Sequence, residues 1–284
     1  MNDRVSFRKS WRQAVAGVCA VSLVACATHR STQPGAVGIE RKQTLWVSAA
    51  DINRASEKAY LDTLRQAEGK HALNVDNREL TRVRAIANRL IPATGIFRTD
   101  APGWRWEVNV IESKELNAWC MPGGKIAVYS GLIDKLQATD DELAAVMGHE
   151  IAHALREHGR ERASQAMATS VGLTVVGIVL GAGQFQMDLA SLITDLTVSL
   201  PNSREFETEA DRMGVELAAR AGYDPRASLS LWKKMAQVDG GTPPQWLSTH
   251  PSHERRQQDL ADYAQRVMPL YLATQATGQP PVRR

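Results

Sequence analysis

Cysteine is scarce in this sequence, and its placement excludes a fold built on disulfides. Only Cys19, Cys26 and Cys120 occur among 284 residues. The first two lie in an N-terminal segment with the marks of a targeting signal. One thiol is left for the folded part, so no internal bridge can form even in an oxidising compartment. Cys120 itself reads as a small residue packed in a strand. A surplus of one charge is also missing once that segment is set aside. The formal charge of +3 comes from 34 basic and 31 acidic residues. Removing Arg4, Arg8, Lys9, Arg12 and Asp3 with the signal leaves thirty of each. A nucleic-acid partner therefore has no electrostatic support. Internal repeats are absent, and so is an apolar run long enough to span a bilayer comfortably. The nearest approach is the uncharged stretch 164–187, whose strongly apolar part runs only from Val171 to Gly183. It reads as a buried or surface-docking helix that can cover a site, rather than as a membrane insertion.

What is present at the N-terminus is a positive n-region followed by an uncharged, mostly apolar run from Ala14 to Ala25, the length of a signal-peptide h-region. It ends in Leu23-Val24-Ala25-Cys26, which looks like a bacterial lipobox. Cleavage before Cys26 and its lipidation would anchor the chain to a membrane without spanning it. Ala27 follows rather than aspartate, a sorting preference that resembles that of outer-membrane lipoproteins. The expectation is a protein of a Gram-negative cell envelope, facing the periplasm.

The most informative residues are His149-Glu150-Ile151-Ala152-His153. On a helix, positions i and i+4 stack on one face, so both imidazoles can reach one metal ion, with Glu150 beside the place of an attacking water. Thr139 and Glu142 read as a capping box that starts such a helix. Leu143, Val146, Met147, Glu150 and Ala154 then recur at helical steps and put the motif on a largely buried stripe. Two buried histidines alone are compatible with satisfied core residues, but an unpaired Glu150 between them is costly unless a cation is near.

Zinc needs a third protein ligand and an open position. A second helical stretch, Ser203-Arg204-Glu205-Phe206-Glu207-Thr208-Glu209-Ala210-Asp211, opened by Asn202, offers four carboxylates. Glu207 and Asp211 share a face, so one can bind metal while the other accepts the free N–H of a ligand histidine. Glu205 and Glu209 are rivals by spacing.

Together HEIAH and SREFETEAD resemble the HtpX and CAAX-prenyl-protease family of zinc endopeptidases, family forty-eight of the metallopeptidases. Two further segments match it: Asn117-Ala118-Trp119-Cys120-Met121-Pro122-Gly123-Gly124-Lys125-Ile126, and Thr249-His250-Pro251 with Arg256. The resemblance covers roughly residues 75–265. It implies one Zn²⁺ per chain held by His149, His153 and Glu207, with Glu150 as general base and Asp211 orienting a ligand histidine. It also implies that Asn117 and Ala118 lie on an edge strand that takes an extended substrate by β-augmentation. His250 matches the family's C-terminal histidine. It can supply the donor for a tetrahedral oxyanion, close over zinc as a fourth ligand at rest, or merely cap the next helix. His158 and His253 read as surface residues.

The implied fold is α+β, a mainly helical zincin-like (gluzincin) domain with a small β-sheet beside the HExxH helix. Its expected organisation is a lipoprotein signal peptide (1–25), a lipidated N-terminus and tether (26–45), the metallopeptidase domain (46–270) and a tail (271–284). Helices are expected at about 48–68 and 76–91, strands at 104–111, 115–121 and 124–129, and helix from Asp140 to about 268, broken near Gly222, Pro225, Gly240–Pro244 and Pro251. The leading function is an endopeptidase acting on unfolded or misassembled envelope polypeptides. A chaperone-like scaffolding lipoprotein with a quiet site, or a narrow processing protease, are the alternatives, and an intact Glu150 argues against a dead enzyme.

Overall fold

The computed structural model describes residues 28–169, 188–238, 245–250 and 254–277. The expected signal peptide, Cys26, the apolar run 171–183, the break at 240–244, Pro251, His253 and the last seven residues lie outside them. The chain opens with two short antiparallel strands, β1 (Thr28–His29) and β2 (Gln43–Thr44). Helices α1 (Ala49–Gly69) and α2 (Asn77–Ala93) follow, each with a side-chain cap, Ser48 and Asp76, that accepts backbone N–H groups of its first turn. Next come β3 (Glu107–Ile111), β4 (Ala118–Met121) and β5 (Lys125–Tyr129), and the short helix α3 (Ser130–Asp134). The rest is helical: α4 (Asp140–Leu155), α5 (His158–Thr169), a π-helical turn (Asp195–Ser199), α6 (Arg204–Arg220), α7 (Ala227–Ala236), α8 (Gln245–Thr249) and α9 (Glu254–Thr277). This is the expected α+β class. Among the described residues no helix is long and apolar enough to cross a membrane.

The three-stranded sheet has the order β3-β5-β4, with β3 parallel and β4 antiparallel to β5. It is a middle layer, because successive side chains point to opposite faces and both faces are covered. Ala118, Cys120, Ile126 and Val128 join the main core, while Trp119, Met121 and Ala127 join a second cluster with α1 and the segment around Ile193. Strand β3 starts at Glu107 rather than at Trp104, because a helical turn at Ala101–Gly103 and the stacking of Trp104 on Trp106 occupy the approach. The turn from β4 to β5 uses Gly123 and Gly124 at φ of +84° and +85°, a region that L side chains rarely adopt.

Helix α4 runs through the middle, with every residue from Glu142 to Leu155 buried. Its capping box forms both ways: Thr139 N–H donates to Glu142 Oε2 at 2.9 Å, and Glu142 N–H donates to Thr139 Oγ1 at 3.2 Å. Helix α6 is capped by Ser203, which accepts from Phe206 N–H, one residue later than the expected Asn202. The two helices cross backbone to backbone. A Cβ at Gly148 would stand 2.9 Å from the Gly214 carbonyl oxygen, and one at Gly214 would stand 2.8 Å from the His149 nitrogen.

Two boundaries need correction. Residues 28–45, expected as a tether, are packed. Val37, Ile39 and Leu45 are buried, and the N–H groups of Ala36 and Val37 donate to the buried carboxylate of Glu216, each at 3.0 Å. The polar composition of this stretch hides its structure, because its backbone partners are supplied by α6. At the other end α9 continues through Pro269 to Thr277, with Thr274 buried, so residues 271–277 are helix rather than tail.

Gly214→Ala should destabilise the fold by about 1–3 kcal/mol, because the added methyl meets backbone that cannot rotate away. Denaturant unfolding checks this, and an unchanged midpoint would show that the crossing tolerates a side chain.

Candidate metal centre

The i, i+4 spacing on α4 places His149 and His153 side by side, with Nε2 atoms 3.0 Å apart. Because α6 crosses at Gly148, its first turns bring Glu207 and Asp211 to the same point. Glu207 Oε1 lies 3.3 Å from His153 Nε2 and Oε2 lies 3.5 Å from His149 Nε2. Asp211 Oδ1 is 3.0 Å from His149 Nδ1. His250, just after α8, enters the same group, with Nδ1 at 2.9 Å from Glu207 Oε1 and 3.2 Å from His149 Nε2. One donor atom each from His149, His153, Glu207 and His250 lies within 4.8 Å of all the others.

Proton bookkeeping shows that this set suits a cation. Asp211 and Glu209, both held ionised by arginines, can only accept. Asp211 Oδ1, 3.0 Å from His149 Nδ1, favours a proton on that nitrogen. His158 directs Nε2 at Glu209 Oε2, 3.0 Å away, and its Nδ1 is 2.8 Å from His153 Nδ1. A neutral His158 with its proton on Nε2 must accept at Nδ1, so His153 also carries its proton on Nδ1. The two ligand-facing Nε2 atoms stand only 3.0 Å apart, a contact that needs a proton or another positive charge between them.

The titration tendencies point the same way. Burial works against a charged His149, yet Asp211 and Glu207 outweigh it and raise its pKa to about 9. Burial drives His153 well below the usual imidazole value, opposed by Glu207 and reinforced by His149 and His158. Burial alone would raise the Glu207 carboxyl, but His250, Arg256 and the two ligand histidines hold it well below the ordinary range. A buried site with three imidazoles and one carboxylate, which gathers positive charge, can hold a metal ion.

The remaining expected residues fall in distinct places. Glu150 is buried, and its Oε1 accepts from Trp246 Nε1–H at 2.8 Å and lies 3.4 Å from His250 Nε2. Of the rivals to Glu207, Glu205 is exposed, 3.5 Å from Arg41, and Glu209 faces Arg156, Arg41 and His158 instead. Ala118 opens the edge strand β4 and Asn117 immediately precedes it, both buried. The members of that segment lining the cavity beside Glu150, His153 and His250 are Cys120 and Pro122. Burial pushes the Cys120 thiol well above its usual pKa, so it is inert.

Three residues escaped the sequence reading. Arg256 binds Asp211 through Nε and Nη2, at 2.5 and 2.9 Å, and reaches Glu207 Oε2 through Nη1 at 2.8 Å. Its signal was visible as the last letter of the T-H-P-x-x-x-x-R segment, to which no role was given. Trp246 holds Glu150 and stacks on His250, with centroids 4.7 Å apart. His158, expected at the surface, is 1% exposed. Helix spacing could not reveal it, because Glu157 at φ +53° breaks α4 from α5 and folds the ring back on His153.

Comparison with known proteins agrees with this geometry. The chain is 36% identical over 177 residues to a mitochondrial metalloendopeptidase OMA1 of Arabidopsis thaliana, covering 61% of this chain and 35% of that protein. With the OMA1 metalloendopeptidase of Bos taurus it shares 34% over 213 residues, 69% of this chain and 38% of the relative. With the beta-barrel assembly-enhancing protease of Escherichia coli K12 it shares 29% over 217 residues, 73% and 43% respectively. The chain thus spans well under two thirds of these relatives' own lengths. The family model for peptidase family M48 matches residues 77–264, from the first turn of α2 into α9 and across the whole cluster. The chain belongs to peptidase family M48.

Proposed function

We propose that the metal is zinc, one ion per chain, held by His149, His153 and Glu207, and that the chain is an endopeptidase acting on unfolded or misassembled proteins of the cell envelope. The observation that carries the metal reading is the convergence of the His149 and His153 Nε2 atoms, 3.0 Å apart, with Glu207 and His250 in one buried cluster of donor atoms. Zinc, when bound, supplies Lewis-acid chemistry, polarising the scissile carbonyl and acidifying water. Asp211, fixed by Arg256, orients His149 through Nδ1. Glu150, fixed by Trp246, is the group that takes the proton of the attacking water and returns it to the leaving amine. The edge strand β4, beginning at Ala118 with Asn117 just before it, takes the substrate as an added strand, so that backbone bonds rather than side-chain pockets provide most of the affinity.

His250 supports a site that is quiet at rest. Its Nδ1 stands among the ligand atoms, in the place of a fourth donor, and an oxyanion-stabilising role would need it to move away. The envelope assignment draws on the lipobox-like run ending at Cys26 and on the name of the Escherichia coli relative, a protease that enhances β-barrel assembly. The mitochondrial relatives share the protease domain.

Purified protein should contain about one zinc per chain and digest casein in a chelator-sensitive, zinc-restored manner. Glu150→Gln should keep the zinc and lose hydrolysis by roughly 10²- to 10⁴-fold, the usual contribution of a general base. Glu207→Ala should lose most of the zinc and Glu205→Ala should not. Full zinc in the Glu207 variant would mean that the wrong carboxylate has been assigned. In cells, labelled palmitate should enter the wild-type chain and not Cys26→Ser. Equal labelling, or none in either, would remove the lipid anchor from the account.

A further inference from the structure

We propose that His158 is a positioning residue of the metal centre, and that it makes Arg41, in the N-terminal segment, part of the support for a metal ligand. This rests on the metal reading above and adds to it a second line of support, distinct from Asp211.

His149 is oriented directly, by a carboxylate that an arginine holds. Among the described residues, no carboxylate is paired with His153 Nδ1. It has instead the ring of His158, at 2.8 Å, which passes the interaction on to Glu209 at 3.0 Å. Glu209 is itself gripped by Arg156 through Nε and Nη2, both at 3.0 Å, and by Arg41 through Nε and Nη2, at 2.9 and 3.1 Å. So many donors leave the carboxylate no role except acceptor. The direction of the whole series follows from that: proton on His158 Nε2, lone pair on His158 Nδ1, proton on His153 Nδ1, lone pair on His153 Nε2 aimed into the cluster. A ligand histidine is held in the metal-binding tautomer by the same logic that Asp211 applies to His149.

The arrangement is built rather than incidental. His158 and Glu209 are buried, and the His158 ring lies parallel to Phe206, with centroids 4.3 Å apart and planes 9° apart. This stack fixes the ring plane, and with it both bond directions. Arg41 also binds Glu161, at 2.7 and 2.8 Å, which ties the strap to α5. The segment expected as a loose tether thus reaches within three side chains of the metal position.

The test is zinc affinity, measured on the full chain by competition with a chromogenic chelator. His158→Phe keeps the ring stack but removes both bonds, and should weaken zinc binding by roughly 10- to 100-fold. His158→Gln can accept from His153 and donate to Glu209, and should recover most of that loss. Arg41→Met should fall between wild type and His158→Phe. Phe206→Leu, which loses the stack and keeps the bonds, should bind zinc within about threefold of wild type. Wild-type affinity in His158→Phe would overturn the proposal, as would an equal loss in Phe206→Leu, which would mean packing alone. Where His158→Phe does not fold, the ¹⁵N resonances of histidine in zinc-loaded wild type decide. They should show a neutral His158 with its proton on Nε2, and an Nδ1-protonated or doubly protonated ring would overturn the proposal. A wild type that binds no zinc would instead sink the metal reading, and this proposal with it.

Discussion

The crossing of α4 and α6 at Gly148 and Gly214 is the constraint on which everything else rests. Side chains normally keep packed helices about 8–10 Å apart. Here the contact is backbone against backbone, with no room for a Cβ on either side. His149 follows immediately after one glycine, and Asp211 and Glu207 lie about one and two turns before the other. A wider crossing would leave the histidines of one helix facing the carboxylates of the next across a gap that no single ion could bridge. The sheet matters for a related reason: the edge strand β4 packs along α4, and its Cys120, with Pro122 of the following turn, lines the cavity beside Glu150.

Buried charge at the centre is costly, and the fold compensates it with arginines drawn from distant parts of the chain. Arg256 comes from α9, Arg156 from the turn after α4, and Arg41 from the N-terminal strap. Such buried networks are weak contributors to net stability and strong determinants of geometry. Their effect here is on protons. Each carboxylate that an arginine keeps ionised can only accept, and each therefore dictates which nitrogen of the adjoining imidazole carries hydrogen. Two series, through Asp211 and through His158 to Glu209, stand behind the two imidazoles whose Nε2 atoms meet at one point. His250 and Glu207 complete the set from the opposite side.

How much of this was legible beforehand depended on whether the relevant contacts were local. The HEIAH helix was readable because i, i+4 spacing is enough to place two side chains together, and its capping box because Thr139 and Glu142 lie three residues apart. The second helix was readable as a source of carboxylates, but spacing left Glu205, Glu207, Glu209 and Asp211 open. Only the family resemblance favoured Glu207. The Gly148–Gly214 contact and the Glu216 anchor of residues 36–37 are pairings across many residues, and nothing in local composition signals them. The strap looked like a tether because its polar backbone finds partners only in the fold. His158 was misjudged because a single positive-φ residue, Glu157, redirects it. The end of α9 was set too early: the helix continues through Pro269 to Thr277, with Thr274 buried against the fold.

The central claim is that three imidazole and carboxylate side chains, and no sulfur, hold a zinc ion at this crossing. X-ray absorption at the zinc edge, on protein loaded with one equivalent, tests it most directly. The account predicts a four-coordinate shell of nitrogen and oxygen at about 2.0–2.2 Å with imidazole scattering from at least two rings. A sulfur neighbour near 2.3 Å, or a shell of oxygens with no imidazole signature, would contradict it.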